Sequence, residues 1–311
     1  MTGMSRRDAL RLIGGATLSA AAGASGAELE TGTLIVEAMR SRKIPSTGEA
    51  LPVIGLGTWQ TFDVGPSTAE RAPLKEVLRT FASMGGKLID SSPMYGSSEE
   101  VAGDLIADLG LQSKLFVATK VWTSGKSAGI EQMEDSMRKL RTPRLDLMQV
   151  HNLVDTETHL DTLQKWKHEG RIRYVGVTHY TAGAYDAVAR VMKSHPLDFL
   201  QINYSVGERE AEQLLLPLAQ QRGVAVIANR PFGGGGLFSR LRGKPLPVWA
   251  ADIDCKSWAQ LLLKFVVSHP AVSCAIPATS KVEHLRDNMG AGYGRLPDEA
   301  LRARIAAAVN A

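Results

Sequence analysis

From about residue 53 onward, short apolar runs alternate with segments whose apolar residues recur every three to four positions. The runs Val53–Leu56, Leu88–Asp90, Leu115–Trp122, Leu145–His151, Tyr174–Thr178, Asp198–Asn203, Gly223–Ala228 and Cys274–Pro277 have the length and side-chain types of strands. Between them, helical spacing is clear at Leu74, Val77, Leu78 and Phe81, which stops at Gly85-Gly86. It returns up to about Gly110, then over Ala128–Leu140, Glu157–Glu169, Ala182–Lys193, Arg209–Arg222, Ser257–Ser268 and Lys281–Met289. Strict β/α alternation implies parallel strands with right-handed crossovers. Eight such units over ~250 residues predict a (β/α)8 TIM barrel. A doubly wound sheet is the rival, but no Gly-x-Gly-x-x-Gly follows a strand, and Gly233–Gly236 has the wrong spacing. Ahead of the barrel, Arg42–Ile44 and Leu51–Ile54 flank a Thr47-Gly48 turn and predict a β-hairpin; residues 296–311 predict a C-terminal helix.

Composition adds two boundaries. Hydrophobic residues are 44% and charged residues 22% of the 311, ordinary for a globular protein. Half of the formal net charge of +4 comes from Arg6, Arg7 and Arg11 against Asp8, so no nucleic-acid partner is implied. Ser5-Arg6-Arg7-Asp8-Ala9-Leu10-Arg11, followed by a Gly/Ala-rich run from Leu12 to Ala27, resembles a bacterial twin-arginine (Tat) export signal. Gly14, Gly15, Gly23 and Gly26 argue against a stable membrane helix. The expected organisation is a signal at 1–27, a linker at 28–41 and one barrel domain over 42–311, exported to the periplasm by the Tat machinery. Cys255 and Cys274 do not make a disulfide framework, and Cys274, within an apolar strand, is expected to be buried and reduced. No metal-ligand spacing is present.

Candidate chemistry collects at strand ends, which in a barrel converge over one pocket. Asp90 ends the second barrel strand, and Tyr95 lies in the loop behind it, before the helix start Ser97-Ser98-Glu99-Glu100. Lys120 closes the third apolar run and His151 the fourth. A buried Lys120 needs a counter-ion, which Asp90 supplies, and beside Tyr95 it is expected to lower the phenol pKa towards working pH. Tyr95 then serves as general acid towards an oxygen anion, with His151 donating a hydrogen bond to the same oxygen. That set implies reversible proton delivery to a carbonyl, with hydride from a nicotinamide as the natural second component.

Gly55-Leu56-Gly57-Thr58-Trp59, the stretch from Asp90 to Gly96, Lys120, His151, Gly176-Val177-Thr178, Gln201-Ile202-Asn203-Tyr204, and Ile276-Pro277 with Asn288 downstream resemble the aldo-keto reductases over residues 42–290. The resemblance implies Tyr95 as general acid/base, Lys120 and Asp90 tuning it, and His151 orienting the substrate carbonyl. It implies extended NADP(H), with NAD(H) the alternative, and places Thr58, Asp90 and Gln201 at its nicotinamide end. Trp59 and Trp122 wall an apolar substrate pocket. Thr178-His179 stands where the family grips the carboxamide with Ser-Asn, and Asn229-Arg230-Pro231-Phe232 follows the seventh strand where a stacking Tyr is common. Thr279, Ser280, Lys281 and His284 stand where the family holds the 2′-phosphate, at the start of the last barrel helix.

The activity so implied is NAD(P)H-dependent reduction of a small-molecule aldehyde or ketone. The alternative is a low-turnover NADP(H)-binding sensor or interaction protein, motivated by His179, Asn229 and the export signal. The glycine-containing stretch from Gly233 to about Ala251 is a candidate cofactor flap.

Overall fold

Hydrogen bonding between strands follows chain order around a closed ring. A computed structural model describes residues 38–310, so the expected export signal and most of the linker lie outside the described residues. β1 (Ser41–Lys43) and β2 (Ala50–Pro52) form an antiparallel hairpin with Arg42 opposite Leu51. The barrel strands are β3 (Leu56–Gly57), β4 (Leu88–Asp90), β5 (Phe116–Val121), β6 (Leu145–His151), β7 (Ile172–Thr178), β8 (Phe199–Asn203), β9 (Ala225–Asn229) and β10 (Val272–Ala275). Each pairs in parallel with the next, and the bridges Ile54–Ala275 and Gly57–Ala278 join the last strand to the first. The fold is a (β/α)8 TIM barrel with an N-terminal hairpin and a C-terminal helix.

The helices are α1 (Thr68–Ser83), α2 (Ser98–Asp108), α3 (Lys126–Lys139), α4 (Thr156–His168), α5 (Tyr185–Ser194), α6 (Leu215–Arg222), α7 (Gly236–Leu241), α8 (Trp258–Ser268), α9 (Val282–Gly290) and α10 (Glu299–Asn310). Local chemistry sets their ends. Ser67 caps α1 in a capping box, accepting from the Glu70 N–H at 3.3 Å while its hydroxyl donates to the Glu70 carboxylate at 2.6 Å. Gly223 closes α6 in the left-handed region, at φ +65°, where a side chain would be strained. The helix expected over Arg209–Arg222 splits at Leu214, whose φ of −134° is not helical, leaving a 3-10 turn over Glu210–Gln213 before α6. The expected flap is folded structure: α7 and a 3-10 helix over Val248–Ile253 bury Leu237, Leu241, Ala250 and Ile253.

Period-two alternation decides what fills the barrel. Along β5, Phe116 and Ala118 join an interior cluster with Leu88, Leu147, Tyr174, Phe199, Ala225 and Ile227. Phe116, Tyr174 and Phe199 pack together with ring centroids 5.3–5.8 Å apart. Ile44 and Leu51 of the hairpin belong to the same cluster and plug the N-terminal end. Two residues further along the strands the interior turns polar, with Asp90, Lys120, Gln149 and Gln201 all buried. The outward-facing Val117, Val121, Met148 and Val150 pack instead into the helical shell.

Candidate active site

Strand register assembles the polar layer. Asp90 stands opposite Gly57, Lys120 opposite Gln149, and Thr178 opposite both His151 and Gln201. Lys120 Nζ donates to Asp90 Oδ2 and to the Ser91 carbonyl, each at 2.6 Å, with both charged side chains almost wholly enclosed. Asp90 Oδ1 accepts from Gln201 Nε2 at 2.8 Å and from Gln149 Nε2 at 3.3 Å. Thr178 Oγ1 donates to Gln201 Oε1 at 3.2 Å, which fixes the direction of that amide. Thr58 is fully buried behind them, and its hydroxyl lies 3.0 Å from the Asp90 carbonyl and 2.9 Å from Ser91 Oγ.

Tyr95 and His151 meet over this layer. Their rings are edge-on at 6.0 Å, and Lys120 Nζ lies 5.0 Å from the Tyr95 ring centroid. Burial raises the phenol's pKa; the Lys120 charge pulls it down and the Asp90 charge pushes it up again. The net direction is upward, which corrects the expectation of a lowered phenol. Burial is the largest influence and outweighs the Lys120 charge, and the Asp90 charge pushes in the same direction as burial. Burial also opposes the Lys120 charge, but Asp90 and Tyr95 outweigh it and raise the ammonium's pKa. His151 is pushed down to about 2 by burial, then by Lys120 and His179, so its ring is neutral. Ser92 Oγ lies 3.0 Å from His151 Nδ1 and already accepts the Met94 N–H at 3.4 Å. The hydroxyl proton is therefore free to point at Nδ1, which favours the tautomer with the ring proton on Nε2.

A cleft of about 610 Å³ opens above these residues. Thr58, Asp90, Tyr95, His151, Thr178, Gln201, Asn229, Pro231 and Phe232 face it, together with Trp59 and Trp122. The two indoles are 45% and 42% exposed, so they form its rim and not its floor. Trp122 is held from below. Its backbone N–H donates to Gln132 Oε1 at 2.6 Å and its backbone carbonyl accepts from Gln132 Nε2 at 3.2 Å. Next along the loop, the Thr123 carbonyl meets His159 Nε2 at 2.7 Å and the Gly125 N–H donates to Asp155 at 2.7 Å.

The structure does not bring every expected residue to the cleft. His179 is drawn aside: its ring stacks on Tyr180 at 5.6 Å and its Nδ1 accepts the Thr181 N–H. Only its carbonyl approaches the site, accepting from Asn229 Nδ2 at 3.2 Å. Thr279, Ser280, Lys281, His284 and Asn288 lie beyond Ala278, the last lining residue, in and before the first turns of α9. Thr279 Oγ1 accepts the Lys281 N–H at 3.1 Å, while Asn288 is buried on the helix's inner side. Sequence reasoning missed Ser92, Gln149 and Asn152 at the site and Met94, Tyr180 and Phe238 on its walls. Gln149 was reachable, since it precedes His151 by two residues and must share its face. Cys255 and Cys274 are both buried and unpaired with each other. Among the described residues no cluster of His, Cys, Asp and Glu is arranged to hold a metal ion, and no helix is long and apolar enough to cross a membrane.

A parallel barrel whose mouth carries a buried carboxylate–ammonium pair under a phenol and a neutral imidazole is built to handle a proton beside an apolar cleft. The aldo/keto reductase family profile matches residues 53–308, and the chain belongs to that family of oxidoreductases. Methylglyoxal reductase YeaE of Escherichia coli (strain K12) is 31% identical over 258 residues, 80% of this chain and 89% of that protein. An aldo/keto reductase from Klebsiella pneumoniae, solved with NADP and acetate, has a TM-score of 0.70 at 29% identity, covering 84% of this chain and 93% of that one. Another structure from that organism, in complex with NADPH, has a TM-score of 0.72 at 28% identity, covering 88% and 96%.

Proposed function

We propose that the protein reduces an aldehyde or ketone to the alcohol with NADP(H), using Tyr95 as the acid. One observation carries the reading: the buried Lys120–Asp90 pair at 2.6 Å beneath the Tyr95 ring, with the neutral His151 edge-on beside it. A phenol with a raised pKa stays protonated at any working pH, yet it is still far more acidic than the alcohol that forms, so the proton transfer runs downhill. The tyrosinate left behind stands beside the Lys120 cation. His151, neutral with its proton on Nε2, donates a hydrogen bond to the carbonyl oxygen and holds it in line with Tyr95.

The cleft suits a nicotinamide in its buried polar atoms. Asn152 Oδ1 and Asn229 Oδ1 lie at the lining without a partner among the described residues, two acceptors for an amide N–H. Thr178 and Gln201 would hold the same ring, while Thr279, Ser280, Lys281 and His284 would receive a 2′-phosphate at the start of α9. When bound, the reduced nicotinamide supplies hydride. A complete proton-handling group favours turnover over the sensor reading. The NADP(H)-bound relatives and the methylglyoxal reductase support the cofactor and the carbonyl class. Export in a folded, loaded state is the reading that Arg6-Arg7 supports.

The test is an NADPH titration followed by an aldehyde panel on the full chain and on Tyr95→Phe. The expected result is NADPH binding in both proteins, with kcat for the variant lower by about 10²–10⁴-fold. Binding without turnover in either would leave the sensor, and absence of binding would remove both.

A further inference from the structure

Two carboxylates bracket the loop that carries Tyr95. Asp90 ends β4 ahead of it, and Glu99 sits in the first turn of α2 behind it. Both reach β5, and they take consecutive residues there. Asp90 accepts from Lys120 Nζ at 2.6 Å, and Glu99 Oε1 accepts from Thr119 Oγ1 at 2.5 Å. Side chains alternate along a strand, so the two bonds lie on opposite faces of β5. Lys120 points into the polar interior. Thr119, midway between Val117 and Val121, points with them into the helical shell.

Glu99 is an expensive group to bury. It is 1% exposed, and burial pushes its carboxyl up from the ordinary range. Its oxygens take hydroxyl donors: Thr119 on Oε1 and, at 3.1 Å, Ser136 of α3 on Oε2. An apolar side chain would fill the space at less cost, but it would not fix α2 against β5 in one direction. The chain between Glu99 and Tyr95 is short and tight. The Tyr95 N–H donates to the Ser92 carbonyl at 3.0 Å, and its own carbonyl accepts the Ser98 N–H at 3.1 Å. A shift in the first turn of α2 therefore passes to Tyr95 with little slack.

We propose that Glu99 is a positioning residue: by tying the start of α2 to Thr119 it holds Tyr95 over Lys120, whose Nζ lies 5.0 Å from the phenol ring centroid. Asp90 ties the other end of the loop to the next residue of β5. The loop is thus fixed at both ends to one strand, and the strand sets the distance between the phenol and the cation. Ser136 has a different part. It joins Glu99 to α3, which carries none of the proton-handling residues, so its bond contributes stability alone. That Tyr95 acts as an acid rests on the reductase reading; its placement by Glu99 does not.

Tyr95 reports its own position. The chain has 6 tyrosines, and in the full protein labelled with carbon-13 tyrosine the Tyr95 Cζ resonance is the one lost in Tyr95→Phe. Burial raises this phenol in the wild type. Glu99→Ala should release it, so that the resonance titrates lower, nearer the ordinary value of about 10. In the same variant kcat for aldehyde reduction should drop about 10²-fold, the cost of a misplacement of about 1 Å, with NADPH affinity unchanged. Glu99→Gln can accept from Thr119 and donate to Ser136, and should restore both readouts. Thr119→Val cuts the tie from the strand side and should repeat the loss even if Glu99→Ala does not fold. Ser136→Ala takes a hydroxyl from the same carboxyl group; it should lower the thermal midpoint and leave resonance and kcat as in wild type. A protein that reduces no aldehyde, yet shows the resonance move in Glu99→Ala and Thr119→Val but not in Ser136→Ala, would keep the placement and sink the reductase reading. A resonance unmoved in Glu99→Ala and Thr119→Val, or a kcat that falls as far in Ser136→Ala, overturns the proposal.

Discussion

The two ends of the barrel handle polar groups in opposite ways. At the floor, Tyr174 rises into the hairpin, where its hydroxyl meets Thr47 Oγ1 at 2.8 Å and Glu49 Oε2 at 2.6 Å. Arg173 pairs with Glu49 and, at 2.7 Å, with Asp146, whose other oxygen accepts the Val117 N–H. At the mouth, the Asn152, Asn229 and Arg230 side chains each keep a buried atom without a partner among the described residues; at the floor only Arg42 Nε does. Backbone strain divides in the same way. Gln60, Asn152, Leu153, Asp155 and Arg230 have positive φ just past strand C-terminal ends, against Arg141 in the loops beneath. The floor meets its hydrogen-bonding needs internally and holds the ring closed. The mouth leaves needs open, and open needs with strained backbone mark where a ligand is received.

The sharpest way to break this contrast is at the one mouth pair that is fully satisfied. Lys120→Met should abolish reduction and also cost about 3–5 kcal/mol of stability, because Asp90 is left as a buried charge held only by Gln149 and Gln201. Urea unfolding beside the aldehyde assay measures both. A variant that is inactive yet as stable as wild type would mean that Asp90 takes up a proton when its partner is gone. At the floor, Tyr174→Phe should cost about 1–3 kcal/mol through the lost hydroxyl contacts and leave NADPH affinity unchanged. A shift in affinity would show that the two ends are coupled.

How much of this was legible in the sequence follows from the same contrast. The barrel was readable because its strands and helices repeat eight times, and Asp90, Tyr95, Lys120 and His151 because strand ends in a barrel converge. The direction of the Tyr95 shift was not, since it depends on how far burial outweighs a cation already paired to Asp90. Nor was the packing of the His179 ring, which stacks on its neighbour Tyr180. Glu99 was visible as an acid at a helix start; its bond across to Thr119 of β5 is a property of tertiary geometry alone.

Acid should weaken the fold gradually. Burial holds His151 down to about 2 and His269 down to about 4, so both are neutral in the folded protein at pH 5. In the unfolded chain they take up protons below about 6.5. The unfolded state therefore binds more protons between those limits, and stability falls as pH drops from about 6.5. Urea midpoints at pH 7.5, 6 and 5 should decline in that order, with His269→Gln flattening part of the slope. Equal midpoints would place both rings in water.

The smallest expected effect is the absence of one. If His151 is neutral and Tyr95 protonated throughout the working range, neither ionises between pH 5 and 9, and kcat/KM for aldehyde reduction should be flat there. The sign is fixed by the directions of the two shifts. His151 is displaced downward, so its titration lies below the window; Tyr95 is displaced upward from an ordinary phenol value of about 10, so its loss of the proton lies above it. A limb falling with rising pH inside the window would show the phenol lowered, with Lys120 acting on it more strongly than Asp90 allows. Asp90→Asn distinguishes the causes: it removes the charge that offsets Lys120, and in that variant the falling limb should move down towards neutral pH. A flat wild-type profile that acquires a limb in Asp90→Asn would show that burial alone does not hold the phenol protonated and that the Asp90 charge adds to it.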